Sequence, residues 1–303
     1  MEIMFLGTSS MFPTEKSSQP AVWVRIDYEQ MLLDCGEGTQ RQMRIAGKSL
    51  MKVNKIFITH WHGDHSIGLA GVIQSMAANK RKDDLIIYGP KGTAESIKHL
   101  IKAFKFDMRY KIKVVEISTQ ENKIQKILDN DKFKVEAMSV KHIVPCVAYS
   151  ILEKGKRKIN LEYTKKFGLI KDPILGRLQA GKTIYYKGQK ITPKEGTILT
   201  PDKKLSYILD TAYFKGLNKL AKNSDILICE ATFGEELNEL SKEYAHMTSL
   251  DSAKLAKEAK VKQLILTHLS QRYEKNKEMI LNEAKKIFEN TKLAEDFMHL
   301  EIK

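Results

Sequence analysis

An apolar run that passes straight into a crowd of metal-binding side chains limits this chain more than any other feature: Ile56-Phe57-Ile58-Thr59-His60-Trp61-His62-Gly63-Asp64-His65. The opening residues read as the end of a buried strand. A loop leaving a strand can turn neighbouring side chains to different sides. His60 and His62 are thus placed to face one cation while Asp64 and His65 face another. Gly63 is expected to let the backbone bend tightly between them. Imidazole mixed with carboxylate suits zinc, at about 2.0–2.2 Å, better than calcium or magnesium, which prefer oxygen shells. One loop cannot complete two coordination shells, so a fold that uses this motif must bring other strand ends to it.

Candidates for those ends are present. Apolar runs finish in Val140-Lys141-His142, in Ile208-Leu209-Asp210-Thr211 and in Leu266-Thr267-His268, each with one ligand-type side chain at its C-terminal end. Asp210 has two oxygens and can bridge two cations, which a neutral imidazole cannot. Glu230, after Leu227-Ile228-Cys229, shares the strand-end position and is suited to orient a histidine from behind. His246 precedes Met247-Thr248-Ser249, a helix-capping sequence, which makes it a candidate proton carrier rather than a ligand, the competing reading being a local capping or hydrogen-bonding role. His99 and His299 follow no apolar strand and read as surface residues.

Short runs rich in Ile, Val and Leu predict strands at Ile3–Leu6, Val22–Ile26, Met31–Asp34, Val53–Thr59, Leu85–Tyr88, Ile112–Ile117, Phe133–Val140, Val147–Leu152, Leu205–Leu209, Ile226–Cys229 and Gln263–Leu266. Helices are predicted at Thr39–Ala46, Ile67–Asn79, Thr93–Phe104, Leu217–Asn223, Leu250–Lys260 and Lys275–Asn290. The hairpin from Val22–Ile26 to Met31–Asp34 needs antiparallel neighbours, which favours a layered α/β or α+β sandwich over a strict βαβ repeat. A chain of 303 residues buries a core without covalent staples, and three cysteines in apolar runs suit buried thiols in a reducing cytosol. No stretch approaches the roughly 18 apolar residues of a membrane span. Dinucleotide, P-loop and Gly-x-Ser-x-Gly signatures are missing.

The 51 Lys+Arg against 37 Asp+Glu give a net charge of +14, which favours a polyanionic partner. Much of it is local: Ser150–Lys204 holds 14 Lys/Arg and 5 Asp/Glu. Glu153–Gly196 is glycine-rich with only short apolar pieces, an excursion from the core. Tyr163, Phe167, Tyr185 and Tyr186 lie among its lysines, a mixture of stacking faces and cations that suits RNA. The competing reading is a lid or dimerisation arm whose aromatics pack on their own core.

His60-Trp61-His62-Gly63-Asp64-His65 with His142, Asp210 and His268 resembles the metallo-β-lactamase superfamily. Within it, Leu6-Gly7-Thr8-Ser9-Ser10, Leu32-Leu33-Asp34-Cys35-Gly36-Glu37-Gly38-Thr39-Gln40, Glu230-Ala231-Thr232-Phe233 and His246-Met247-Thr248 look like the ribonuclease Z family, in its short form. The resemblance implies one αββα domain over residues 1–303, with a protruding basic arm inserted at 153–196. It implies a cytoplasmic homodimer, away from membranes, that removes the 3′ trailer from precursor tRNA. The tRNA would keep a 3′ hydroxyl and the trailer a 5′ phosphate. Two zinc ions per subunit are implied, one on His60, His62 and His142 and the other on Asp64, His65 and His268, with Asp210 bridging. Asp64 would be the base and His246 the proton donor. The arm would grip tRNA through cations such as Lys156, Arg157, Lys158, Lys165, Lys166 and Arg177. Pro13-Thr14-Glu15-Lys16-Ser17-Ser18-Gln19 departs from the family's Pro-x-Lys-x-Arg-Asn loop, and Asp172-Pro173 stands where a Gly-Pro pair is common. Two other functions fit the residues: a small-molecule phosphodiesterase or (thio)ester hydrolase on the same fold, and an RNA-binding protein with purely structural zinc.

Overall fold

The computed structural model describes residues 1–105, 108–118 and 122–303. The chain divides into two compact units, Met1–Leu152 with Lys204–Lys303, and Glu153–Lys203.

The larger unit is built on two seven-stranded sheets. In the first, β1 (Glu2–Gly7), β2 (Ala21–Ile26), β3 (Glu29–Leu33), β4 (Val53–Phe57), β5 (Leu85–Pro90) and β6 (Ile112–Ile117) lie side by side, with the C-terminal strand His299–Glu301 against β1. β1 to β3 are antiparallel and β3 to β6 parallel. In the second, β7 (Gln125–Asp129), β8 (Phe133–Val140), β9 (Cys146–Glu153), β10 (Lys203–Ile208), β11 (Ile226–Glu230), β12 (Gln263–Thr267) and β13 (Thr291–Leu293) follow one another, parallel from β10 onward.

Alternation along these strands produces the layers. Ile3 and Phe5, Val22 and Val24, and Met31 and Leu33 join Tyr149, Tyr207, Ile226 and Ile228 in a core between the sheets. Their neighbours Leu6, Trp23 and Leu32 point the other way, onto Leu69, Val72, Ile73 and Met76 of a helix on the outer face. Leu227 and Cys229 likewise meet Leu217, Leu220, Leu255 and Ile280 outside the second sheet. A period-2 strand with both faces apolar must be covered on both sides, and helix–sheet–sheet–helix is the arrangement that does so. The helices beside the first sheet are α1 (Thr39–Ile45), α2 (Gly63–Ser66), α3 (Gly68–Ala78) and α4 (Thr93–Phe104).

Every predicted strand forms, and Ile112–Ile117 and Phe133–Val140 have the expected bounds. Gln125–Asp129, Thr291–Leu293 and His299–Glu301 were not expected; all lie at sheet edges, where pairing is one-sided and little apolar patterning is needed. The helix expected to reach Asn290 ends at Lys285. The following residues turn back, and the Asn290 carbonyl accepts from Leu264 N (3.0 Å) while its side chain donates to Lys262 O (2.6 Å).

The Glu153–Lys203 unit has two small antiparallel ribbons, Arg157–Ile159 with Thr197–Leu199 and Ile184–Tyr186 with Gln189–Ile191. Its own core is Leu169, Leu178, Ile184 and Ile191, against which Tyr163, Phe167 and Tyr186 pack. Three of the four aromatics proposed as stacking faces are therefore partly used inside the unit, and Tyr185 stands out at 68% exposure. Lys156, Arg157, Lys158, Lys165, Lys166 and Arg177 are all exposed.

Candidate metal centre

Strand ends from both sheets meet at one edge. Asp34 follows β3, Asp210 follows β10 and His268 follows β12, and all three adopt left-handed backbone, with φ of 57°, 46° and 60°. Such a conformation costs a residue with a Cβ about 1–3 kcal/mol and persists only where surrounding bonds dictate it. They do: Thr211 N donates to Glu230 (2.6 Å), His268 N to Thr8 O (3.0 Å), and the Asp34 carboxylate receives Thr59 N (2.7 Å). Gly36 lies so close beneath the motif loop that a Cβ there would sit 2.4 Å from the Asp64 carbonyl oxygen. Gly63, expected to bend the loop, instead opens the turn α2 without left-handed backbone. From that turn Asp64 and His65 come together with His268, while the His65 ring stays 4.2 Å from that of His60, centroid to centroid.

The ligand-type atoms form two adjoining groups. His60, His62, His142 and Asp210 each offer an atom within 4.8 Å of the others, and so do Asp64, His65 and His268. His62 Nδ1 lies 2.9 Å from His60 Nε2 and 3.3 Å from His142 Nε2. In the second group, His65 Nε2 is 3.2 Å from His268 Nε2, and Asp64 Oδ2 is 3.3 and 3.4 Å from these two nitrogens. Asp210 is divided between them: Oδ1 lies 3.4 Å from His65 Nε2 and from His268 Nε2, while Oδ2 faces His60 Nε2 at 3.6 Å and His142 Nε2 at 4.0 Å.

A layer behind the histidines fixes where their protons sit. His65 Nδ1 donates to Asp34 Oδ2 at 2.8 Å, and Asp34 also receives Thr59 Oγ1 and Tyr207 OH (2.9 Å each). The Thr59 hydroxyl, its proton given to Asp34, accepts from His60 Nδ1 (3.1 Å). Thr232 donates to Glu230 Oε2 (2.6 Å) and accepts from His268 Nδ1 (2.9 Å). His142 Nδ1 faces the carbonyl oxygen of Ala245 at 3.3 Å. With Nδ1 protonated in each, the Nε2 lone pairs of His60, His65, His142 and His268 all point inward.

Lone pairs about 3 Å apart repel unless a cation or protons lie between them. Burial and neighbouring histidines push His60, His62 and His142 below the usual imidazole range, so protons are not the answer for that group. Buried Asp64 Oδ1 and Asp210 Oδ1 have no hydrogen-bond partner among the described residues. In the second group burial opposes charge on His65, but Asp210 and Asp34 outweigh it and hold that imidazole well above the usual range. Neutral imidazoles in the first group, ionised carboxylates and orphaned oxygens together fit a binuclear metal site.

The cavity above this edge holds about 400 Å³ and is lined by His62, Asp64, His142, Asp210, His246 and His268, with Met11, Phe12, Ile143 and Tyr244 at its exposed rim. His246 is held from behind by Glu230, with Nδ1 2.9 Å from Oε2. Burial works against its charge, but Glu230 outweighs it and raises the imidazole to about 9. Glu230 thus reaches His246 directly and His268 through Thr232. His246 also falls within 4.8 Å of Asp210 and His268 atoms, so position alone does not bar it from ligation. His99 and His299 are exposed on the Thr93–Phe104 helix and the last strand, apart from the site.

Sequence reasoning did not assign Asp34, Thr59, Thr232 or Tyr207 a role. For Asp34 the signal was available, since it ends an apolar strand as Asp210 and Glu230 do. Tyr207 carried none, because an inward-facing aromatic in a strand reads as ordinary core.

A family model described as anti-Pycsar protein Apyc1 matches residues 1–165. Ribonuclease Z of Archaeoglobus fulgidus is 43% identical, with 99% of this chain and 97% of the relative covered. That of Methanosarcina acetivorans is 37% identical, with 100% and 98% covered. The crystal structure of human tRNase Z, short form, superposes with a TM-score of 0.72 at 25% identity, covering both chains completely. Among the described residues no helix is long and apolar enough to cross a membrane. With the anti-Pycsar Apyc1 family matched in its first half and full-length relatives above 35% identity, this chain belongs to the ribonuclease Z family, metal-dependent endonucleases of tRNA 3′ processing, on the metallo-β-lactamase fold.

Proposed function

We propose that the chain is a two-zinc endoribonuclease that cuts the 3′ trailer from precursor tRNA, leaving a 3′ hydroxyl on the tRNA and a 5′ phosphate on the trailer. The observation that carries this reading is the division of Asp210, one oxygen toward each histidine group. A structural site needs no such sharing. In this assignment His60, His62 and His142 hold one zinc, Asp64, His65 and His268 the other, and Asp210 both.

When bound, a metal pair neutralises phosphate charge and acidifies water toward neutral pH. The protein supplies the proton handling. Asp64 has one oxygen 3.3–3.4 Å from Nε2 of His65 and His268 and the other unpartnered, available to take a proton from attacking water. His246, kept protonated by Glu230, gives its proton to the leaving 3′ oxygen, and Glu230 positions it for that step.

Residues 153–196 serve in this reading as an arm within a single catalytic domain of 303 residues. Exposed Lys156, Arg157, Lys158, Lys165, Lys166 and Arg177 meet the phosphates of tRNA, whose A-form helix hides its base edges and is gripped by shape and charge. The enzyme works as a homodimer in a reducing cytoplasm, a setting that suits its three buried free thiols.

The test is metal analysis of the purified protein together with mapping of the cut on a tRNA transcript with a 3′ extension. Two zinc ions per subunit and a cut at the 3′ side of the acceptor stem, with a 3′ hydroxyl, are expected. Hydrolysis of a chromogenic phosphodiester with the transcript left intact would favour a small-molecule hydrolase. RNA binding with no cleavage of either would make the metal structural.

A further inference from the structure

Four large apolar side chains at the mouth of the metal-centre cavity, Met11, Phe12, Ile143 and Tyr244, are 47–64% exposed. Exposed apolar residues scattered singly over a surface need no explanation. These come from three separate loops and line one opening. Each of those loops also carries or braces a residue of the site. Ile143 follows His142, and Tyr244 lies two positions before His246. Met11 and Phe12 follow Ser9, which forms a parallel bridge with Leu269, the neighbour of His268.

Backbone bonds hold the loops in place. The Met11 carbonyl accepts from Gln19 Nε2 (2.7 Å), Tyr244 N donates to Leu240 O (3.1 Å), and the Ala245 carbonyl lies 3.3 Å from His142 Nδ1. One cation joins the rim. Arg272 is exposed, with its guanidinium carbon 5.4 Å over the ring of Phe233, and makes no ion pair among the described residues. A phosphodiester that reaches Asp64 and Asp210 has to enter by this mouth, and the nucleotides on either side of it then lie against the rim. Bases paired in an A-form helix keep their faces inside the stack. An unpaired base offers a flat apolar face that stacks on an aromatic ring whatever its identity, with a phosphate beside it for a cation.

We propose that this rim is a collar for the unpaired bases flanking the scissile phosphodiester, with Phe12 and Tyr244 each stacking on one base, Met11 and Ile143 adding apolar contact and Arg272 on a neighbouring phosphate. The collar selects single-stranded structure at the cut rather than a base sequence. This rests on the precursor-tRNA reading, in which the cut falls where the acceptor stem gives way to single strand.

The test uses precursor tRNA transcripts that carry either an intact base or an abasic nucleotide immediately 5′ or immediately 3′ of the cut. On intact substrate Phe12→Ala and Tyr244→Ala should each lose about 5- to 100-fold in kcat/KM, the range for one stacked base. Each loss should shrink to within about twofold on the abasic substrate that lacks the base concerned. Arg272→Gln should weaken intact and abasic substrates alike. Phe12→Trp and Tyr244→Trp keep a ring and should cleave intact substrate within about threefold of the wild type. Losses that persist undiminished on both abasic substrates would overturn the proposal, as would normal cleavage of intact substrate by both alanine variants. A dinucleoside monophosphate, used as an inhibitor of methyl p-nitrophenyl phosphate hydrolysis, separates the collar from the processing reading: its Ki should rise in both alanine variants. Should the wild type leave tRNA uncut while that Ki still rises, the collar stands and the processing function falls; an unchanged Ki overturns the collar.

Discussion

Asp34 Oδ2 accepts a hydrogen bond from His65 Nδ1 at 2.8 Å, with both side chains fully buried. The carboxylate also takes Thr59 and Tyr207, so it holds the tautomer and tilt of His65 and, through Thr59, of His60.

Asp34→Asn keeps the size but offers an amide that can present an N–H to His65. Metal affinity or turnover should fall about 10- to 100-fold, as is usual when the partner of a ligating histidine is lost. Metal content after dialysis and cleavage rate measure the two separately. Normal values for both would show that Asp34 does not act through His65.

His246→Ala should leave metal content unchanged while slowing precursor-tRNA turnover by about 100-fold or more, the contribution of a general acid. A chromogenic phosphodiester with a good leaving group needs no protonation and should lose much less. Loss of metal in this variant would make His246 a ligand.

Replacing Lys156–Lys194 by a short Gly-Ser link removes most of the exposed cations and the unit's own core while leaving both large sheets. The expected outcome is a drop in kcat/KM of about 100-fold or more on precursor tRNA, with small phosphodiesters hydrolysed within about threefold of normal. Parallel loss on both substrates would mean that the segment supports the fold rather than the RNA.

Glu29 and Lys55 form a mostly buried ion pair that acid should weaken. Burial opposes the Glu29 charge, but Lys55 Nζ (2.6 Å) and Asn54 Nδ2 (2.9 Å) hold its carboxyl below the usual 4.5. A depressed folded-state pKa adds stability that is present above 4.5 and disappears as pH falls through the folded value. Glu29→Gln should therefore cost about 1.5–3 kcal/mol at neutral pH, the range for a hydrogen bond to a charged group, and less below pH 4. Denaturant unfolding at several pH values decides it; a pH-independent difference would point to packing instead.

The metal-binding motif was legible because its chemistry is concentrated in six positions after an apolar strand, and the remaining ligand-type residues because each ends a strand. The layers were legible in the alternation of Ile3, Phe5 and Leu6, or of Ile226, Leu227, Ile228 and Cys229. Edge strands escaped notice since Thr291–Leu293 and His299–Glu301 are too short for a period to show. The role of Tyr207 depends on which strand lies opposite, a tertiary fact that periodicity does not carry. Pairing of Tyr163 and Phe167 with the core of their own unit was equally hidden, because a lysine-rich stretch gives no sign of which aromatics turn inward.

His65 and His268 meet across 203 positions of chain, the first from the motif loop and the second from the last large strand of the other sheet. During synthesis, the cluster is missing a corner until nearly nine-tenths of the polypeptide has been made. Truncated or stalled products lack that corner, so capture of a full metal complement would mark a finished molecule, and partial chains would carry no competent hydrolytic centre to act on cellular RNA.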